Sequence, residues 1–474
     1  MKKFELKFIL EATHGKALSE PHQTFHGIGT DTRKDMTGQL FIALKGEQFD
    51  AHDFVLNAIE KGAAGVLVHD ISPALLALKS KISIIKVDDT LIALQNLARA
   101  LRRQLEPKVV ALTGSNGKTT TKEFVAAILE TQFKVHYSKG SFNNHWGLPF
   151  SLLDMEAQHE VVVVEMGMNH PNEIARLVEI AEPDIVVCTT VGTAHIEHFG
   201  SQIGIAKAKE EIYEFSPKSA TRVYNLDDPF TRKMWQRSHA RFNESTILTF
   251  SNLDPKADLF LQFVSMNLNE LVVKGHINGE AGQAKIPVFG KQNMVNLAAA
   301  AGLALAAGME GKDIWPALEK CRTNWGRNQL LNLKSGAQMI FDGYNANPDS
   351  MKALIDNVKN IKISGRKIGV FGEMLELGEF SAGFHQEVAE VIGQAGFDSI
   401  YFVGADAEAF RRGLKNSNNN SKQTIWPEFR AEMADELLHE AKKGDLVVVK
   451  GSRGMKLERF VLPFAPEGFS LKKE

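Results

Sequence analysis

Residues 113–121, Thr-Gly-Ser-Asn-Gly-Lys-Thr-Thr-Thr, carry the clearest chemical signal in the chain. They follow the apolar run Val109-Val110-Ala111-Leu112 and lead into a helix-like stretch over 122–130. A strand that feeds a glycine turn aims backbone N–H groups at phosphate oxygens, while a lysine adds mobile positive charge and a threonine hydroxyl suits a magnesium ion. The pattern predicts that Gly114, Ser115, Asn116, Gly117, Lys118, Thr119 and Thr120 bind a nucleoside triphosphate. In the general phosphate-loop pattern the first glycine stands five positions before the second, where this chain has Leu112; the glycine present is Gly114. Two glycines alone would signify only a turn. The strand before them, the Lys-Thr-Thr within and the helix after point to phosphate.

Further polar sets fall where strands end. Glu165 closes the run Val161 to Val164 and precedes Met-Gly-Met-Asn-His, with Gly167, Asn169 and His170 leaving room for a ligand. Ligands collect at the carboxyl ends of strands in an open parallel sheet, so Glu165 is placed to hold magnesium; the alternative is a solvated acid. His195, in Thr193-Ala-His-Ile-Glu-His198, is either a metal ligand or a structural hydrogen-bonding histidine. Lys209, in Ala206-Lys-Ala-Lys-Glu210, reads as a solvated helix charge. Tyr224-Asn-Leu-Asp-Asp-Pro229 is satisfied by an Asx turn before proline. Asp342-Gly-Tyr-Asn-Ala-Asn-Pro348 holds more polar groups than a turn requires, and Lys450-Gly-Ser-Arg-Gly454 resembles an anion nest with two cations beside it.

Placing these groups takes about three domains, since 474 residues exceed one ordinary core at roughly 150 residues per domain. Over the first hundred residues, strand-like runs at 40–44, 65–68 and 82–87 alternate with helical stretches near 53–62 and 90–104, and Glu106-Pro107 then breaks the pattern. From 108 to about 320, continuous apolar strands alternate with helices, which predicts a parallel sheet buried on both faces. Residues 245–290 predict a small antiparallel insertion, and 293–307 an alanine-rich helix stopped by Gly308. A third α/β unit has strands at 339–341, 367–371, 400–403 and 446–449. The expected fold class is therefore α/β with three domains: 1–105, 106–326 and 327–474.

Composition excludes several function classes. With 57 acidic against 55 basic residues, no global field favours nucleic acid or anionic lipid. Cys188 and Cys321 are the only cysteines, which suits a reducing cytosol and rules out a disulfide framework. Glu5 and Lys7 interrupt the N-terminal apolar residues, and no run approaches 18 apolar residues, so neither a signal peptide nor a membrane span is expected.

Taken together the motifs resemble the Mur ligases, which build the peptidoglycan precursor. The likeness runs through Asp31-Thr-Arg-Lys34, Phe41-Ile-Ala-Leu-Lys-Gly46, Phe49-Asp-Ala-His52, the phosphate loop, Asn143-Asn-His-Trp-Gly-Leu-Pro149, Glu165 to His170 and Ala206 to Glu210. It continues through Gln292-Asn-x-x-Asn296, Tyr344-Asn-Ala-Asn-Pro348, Gly372-Glu-Met-Leu-Glu-Leu-Gly378 and Lys450-Gly-Ser-Arg453. The last three single out the branch of the family that adds D-alanyl-D-alanine to a UDP-muramoyl tripeptide.

The resemblance implies an N-terminal UDP-sugar domain, a central ATPase and a C-terminal Rossmann-like domain. It also implies that ATP activates a carboxylate as an acyl phosphate, which an amine then attacks. By position, Lys118 would contact the β- and γ-phosphates, Thr119 and Glu165 would hold one Mg²⁺, and His195 with a carbamylated Lys209 a second. Asn293, Asn296 and Asp342 would lie near the nucleotide, and Arg327 would reach the γ-phosphate. Tyr344, Asn345 and Asn347 would face the dipeptide; Thr32, Arg33, Lys45, Asn143 and Asn144 would lie on the UDP-substrate side. The chain departs from the family pattern at Gln329, two residues after Arg327, where an acid is usual, and at Gly343, where serine is common. The third peptide residue is left open between diaminopimelate and lysine. A cytoplasmic monomer serving cell-wall growth, cell shape and division is the expectation, with a folylpolyglutamate-type ligase, a P-loop ATPase switch or a silent carbohydrate-binding relative as rivals.

Overall fold

The computed structural model describes residues 3–46, 49–138 and 140–464. Strands and helices alternate along the chain, as in an α/β protein, and form two compact units. One comprises Met1–Ala111, Lys134–Met166 and Ala175–Pro183; the other comprises Leu112–Phe133, Gly167–Ile174 and Asp184–Glu474.

In the first unit a five-stranded sheet has the order Lys16–Ser19, Ser83–Lys86, Gly65–Val68, Leu40–Ile42, Ile28–Gly29. All neighbours are parallel except the first pair. Its inner strands are buried at nearly every position, which is why they read as continuous apolar runs. The helix Thr90–Leu105 starts on Asp89, whose carboxylate accepts the Leu91 and Ile92 N–H groups at 2.7 and 2.9 Å. It stops at Glu106, left-handed at φ +49°, directly before Pro107. The strand Val161–Glu165 belongs to this unit and pairs in parallel with Val135–Tyr137.

In the second unit Ile185–Cys188, Thr221–Asn225, Ile247–Ser251 and Leu259–Met266 pair successively in parallel. Leu271–Ile277 and Glu280–Ile286 then continue the same sheet antiparallel. The expected antiparallel insertion is thus an extension of the parallel sheet, because Phe250 and Ser251 pair with Leu259 and Phe260. The helix Asn293–Ala307 is buried almost throughout and ends on Gly308 at φ +110°.

Arg222 has the largest side chain among the fully buried residues. Its guanidinium donates to the carbonyls of Tyr213, Ser216, Pro217 and Ala220 at 2.9–3.2 Å, and to Ser245. These carbonyls close the C-terminal end of the helix Gln202–Glu214, where unpaired acceptors and the negative end of the helix dipole favour a cation. Arg222→Leu should lower the unfolding free energy by about 3–5 kcal/mol, since it strands several buried carbonyls at once. Urea denaturation checks this, and a loss below about 1 kcal/mol, the scale of one ordinary hydrogen bond, would contradict it.

The C-terminal part of this unit is a six-stranded sheet ordered Gln329–Asn332, Gln338–Asp342, Leu446–Lys450, Lys367–Gly372, Ser399–Val403, Lys422–Trp426. It is parallel except at the first pair and has a hydrophobic core on each face. The sequence reading found the four inner strands and missed both edges. Edge strands are half exposed and lack a continuous apolar run, as in Gln-Leu-Leu-Asn and Lys-Gln-Thr-Ile-Trp. Among the described residues no helix is long and apolar enough to cross a membrane.

Candidate functional site

The strand Lys108–Thr113 runs into the phosphate loop, and the helix Lys118–Leu129 leaves it. Gly114 has φ +152° and Gly117 φ +81°; a Cβ on the first would overlap Thr189 Oγ1, and one on the second Asn296 Oδ1. Both glycines are therefore required by the packing, which accounts for Gly114 occurring where the general pattern has another residue. Thr189 Oγ1 donates to the Asn116 carbonyl at 2.7 Å, and the Ser115 N–H donates to the Thr190 carbonyl at 2.8 Å. The Lys118 ammonium donates to the Gly114 carbonyl at 2.8 Å, across the mouth of the loop.

Asn293 and Asn296 brace this cradle from behind. The Asn293 amide donates to the Phe289 carbonyl at 2.8 Å, Asn296 donates to Asn293 at 3.1 Å, and Thr121 Oγ1 donates to Asn296 at 3.3 Å. Their side chains are thus committed to holding the loop against the helix that carries them.

Two groups from beyond residue 320 reach the loop, and a third reaches the neighbouring Thr193. Arg327 Nη2 donates to Thr119 Oγ1 at 2.9 Å, and its guanidinium lies 4.3 Å over the Tyr344 ring. Asn347 Nδ2 donates to Asn116 Oδ1 at 2.7 Å while its own Oδ1 caps the helix Pro348–Lys359 through Ser350. Asp349, in the first turn of that helix, accepts the N–H and hydroxyl of Thr193 at 3.0 and 3.1 Å.

Lys209 is 1% exposed, and no carboxylate among the described residues pairs with it. Burial, and secondarily the charge of Lys118, bring its ammonium down to about 7. A periodic signal was available for this position: Lys209 stands four residues after Ile205 and three before Ile212, on the buried face of its helix. His195, at φ +65°, places Nδ1 2.8 Å from the Glu376 carboxylate, and the histidine holds that carboxyl below its ordinary range. The sequence reading did not single out Glu376.

Asp342 and the Lys450 motif are joined to each other. Lys450 Nζ donates to Asp342 Oδ2 at 2.5 Å and to the Asn345 carbonyl at 3.0 Å, and Asp342 Oδ1 accepts the Asn328 N–H at 3.1 Å. Asn345 Oδ1 accepts the Ala346 N–H at 2.9 Å. Arg453 pairs with Glu458 at 2.7 Å, so both cations of the expected anion nest are bound to carboxylates. Asn225 accepts the Asp227 N–H at 2.9 Å, the Asx turn read from the sequence.

Glu165 and the residues expected on the UDP-substrate side lie in the first unit. The Glu165 carboxylate is buried and accepts from Asn143 Nδ2 at 2.8 Å. Asn144 Oδ1 accepts the Trp146 and Gly147 N–H groups just before the helix Gly147–Leu153. Arg33 is exposed and pairs with Asp31 at 2.8 Å, which brings that carboxyl down to about 2; Thr32 beside it is half buried. Lys45 pairs with Asp50 at 3.5 Å. Asp50, His52 and His69 bring potential metal-binding atoms within 4.8 Å of one another. Both His52 nitrogens are nevertheless engaged, Nδ1 with Asp50 at 2.6 Å and Nε2 with the His69 N–H at 3.1 Å.

Comparison with known proteins covers nearly all of this architecture. Residues 24–102 match the Mur ligase family catalytic domain, 112–304 the Mur ligase middle domain, and 326–453 the Mur ligase glutamate ligase domain. The UDP-N-acetylmuramoyl-tripeptide–D-alanyl-D-alanine ligase of Bacillus subtilis is 36% identical over 97% of this chain and 98% of its own length. A crystal structure of MurF from Acinetobacter baumannii superposes with a TM-score of 0.87 at 29% identity, covering 98% of this chain and 99% of that one. MurF from Thermotoga maritima in complex with ADP gives 0.79 at 28% identity over 92% and 96% of the two chains. With three domains matched in order and a relative alike over its full length, the chain belongs to the Mur ligase family.

Proposed function

We propose that this ATP-dependent ligase joins D-alanyl-D-alanine to the terminal carboxylate of a UDP-N-acetylmuramoyl tripeptide, giving the pentapeptide precursor of peptidoglycan, ADP and phosphate. The observation that carries the reading is a phosphate loop held from outside by Arg327 and by Asn347, the latter from the Tyr344 to Pro348 motif that resembles the D-alanyl-D-alanine-adding branch. The full-length likeness to ligases of that name supports it. Residues 1–105 would serve the UDP-sugar, 106–326 ATP and 327–474 closure and the dipeptide.

The mechanism follows from the chain's own groups. Lys118 and the loop N–H groups draw the β- and γ-phosphates in, and Arg327, already directed at Thr119, meets the γ-phosphate. The phosphoryl group passes to the tripeptide carboxylate, and the dipeptide amine attacks the resulting acyl phosphate. The tetrahedral intermediate then collapses to amide and phosphate. Tyr344 and Asn347 lie beside the loop and would bound the space for the dipeptide, and exclusion of water protects the acyl phosphate.

The residues present fit magnesium. Thr119 offers a hydroxyl oxygen and Glu165 a buried carboxylate, both hard ligands, and from the likeness to the family we assign each of them to magnesium. His195 and Lys209 as a carbamate would hold a second. Bound Mg²⁺ supplies charge neutralisation of the phosphoryl oxygens. We further propose that the protein works as a cytoplasmic monomer in cell-wall growth and division.

Phosphate release should require ATP, Mg²⁺, the tripeptide nucleotide and the dipeptide together, measured by a coupled phosphate assay with product identified by mass. Release indifferent to the dipeptide, or stimulated by a macromolecule without amide product, would favour an ATPase switch instead.

A further inference from the structure

The segment Glu373 to Gly378 joins the strand Lys367–Gly372 to the turn Gly378–Phe380. Met374 and Leu377 sink into the core on one face of the C-terminal sheet. The backbone between them is pinned: the Met374 N–H donates to His385 Nε2 and the Leu375 N–H to Ser452 Oγ, each at 2.9 Å, and the Glu373 N–H to the Val403 carbonyl at 3.0 Å. Glu376 projects from this rigid frame with φ +63°, a conformation a non-glycine residue seldom holds unless its surroundings impose it.

Opposite it stands a second left-handed non-glycine residue, His195, at φ +65°. The approach is close enough that a Cβ on Gly378 would lie 3.0 Å from Glu197 Cβ. His195 Nδ1 is buried and makes no hydrogen bond to any described residue, yet the Glu376 carboxylate lies 2.8 Å away. Among the described residues, the Glu376 carboxylate is thus the charged group that lies against this ring nitrogen.

We propose that Glu376 is a positioning residue for His195: its carboxylate engages the Nδ1 side of the ring, leaving Nε2 as the metal-binding atom, and it does so only when the C-terminal sheet is seated. Histidines that bind metals commonly give their other nitrogen to a carboxylate, which fixes the tautomer and ring orientation. Here that partner comes from a different sheet, so seating the sheet and preparing the metal ligand become one event. The inference rests on the reading of His195 as a metal ligand.

The test uses the full chain with saturating ADP and Mn²⁺ as the probe, free Mn²⁺ being counted by electron paramagnetic resonance. Glu376→Ala should weaken Mn²⁺ binding by about 10-fold, the lower end for losing such a partner. Glu376→Gln, which keeps a hydrogen-bond acceptor, should lose less. The effect of Glu376→Ala should vanish in a His195→Ala background. Unchanged Mn²⁺ affinity in both Glu376 variants, while His195→Ala weakens it, overturns the positioning role alone. A loss that persists at full size without His195 overturns it too, since the carboxylate would then act elsewhere. If His195→Ala leaves Mn²⁺ binding intact, the metal-ligand reading and this inference fail together. Thermal melting of each variant separates these outcomes from misfolding.

Discussion

Lys118→Ala should lower turnover by about 100- to 1,000-fold, the scale for removing one group aimed at developing phosphoryl charge. The side chain starts the helix Lys118–Leu129 and bends its ammonium back over the Gly114 carbonyl at 2.8 Å. That is where the bridging and terminal oxygens of a bound triphosphate would compete for it. The loop itself is held without Lys118, by the packing of Gly114 on Thr189 and of Gly117 on Asn296 and by the Ser115 and Asn116 hydrogen bonds. The variant should therefore melt no lower than the parent. A cation at the positive end of a helix is mildly unfavourable, and the charge also opposes that of Lys209. Steady-state kinetics should show kcat falling, with the KM for ATP rising as well if the contact exists in the ground state. Turnover within a few-fold of the parent would sink the phosphate role, and a large fall in melting temperature would assign the loss to structure.

Lys209→Ala should abolish ligation and regain part of it when formate or acetate is supplied. The parent amine is buried, with no carboxylate partner among the described residues, and burial brings it down to about 7 from 10.5. Near neutral pH a large fraction is thus the free amine, the form whose nitrogen lone pair attacks the carbon of CO₂ while a proton leaves to solvent. On the carbamate reading a cation would become an anion, and the repulsion from Lys118 would become attraction. A small carboxylate diffusing into the space left by alanine would restore that negative charge, and Lys209→Arg should not be rescued. ¹³C-labelled bicarbonate should give a carbamate resonance in the parent that Lys209→Ala lacks; neither resonance nor rescue would remove the carbamate.

The same lysine makes a stability prediction of definite sign. In CO₂-free buffer the unfolded chain keeps this proton up to about pH 10.5, whereas the native chain sheds it near 7. Between those values the unfolded state binds more protons, so native stability rises with pH and the cost of the buried cation is full only below about 7. Lys209→Met should flatten that slope in denaturant titrations run across the window.

What could be read from the chain alone was local in origin. The strand–turn–helix around Gly114 to Thr120 could be read because its glycines, lysine and threonines fall within a few residues of one another. The inner strands, such as Ile185–Cys188 and Leu446–Lys450, are buried on both faces and show as apolar runs. Glu165 could be placed because a strand ends there. The half-exposed edge strands Gln329–Asn332 and Lys422–Trp426 left no such run. The parallel pairing of Ile247–Ser251 with Leu259–Met266 depends on register, which alternation in either strand does not encode.

Charged groups were hardest to read, because a charge declares its role only through its partner. Lys450 and Arg453 suggested an anion site until the fold set them on Asp342 and Glu458. Lys209 suggested a solvated helix lysine until the fold buried it with no carboxylate paired to it among the described residues. Glu376 lay within the Gly372 to Gly378 motif, but its partner His195, 181 positions away, could not be read until the fold brought the two together. The sequence by itself determined which short segments can cradle phosphate and which can form a buried strand, because those properties are set within a few residues. Only the tertiary structure decided which charges are paired, stripped of water or turned toward the loop, because solvation and Coulomb interactions depend on distance in space and not along the chain.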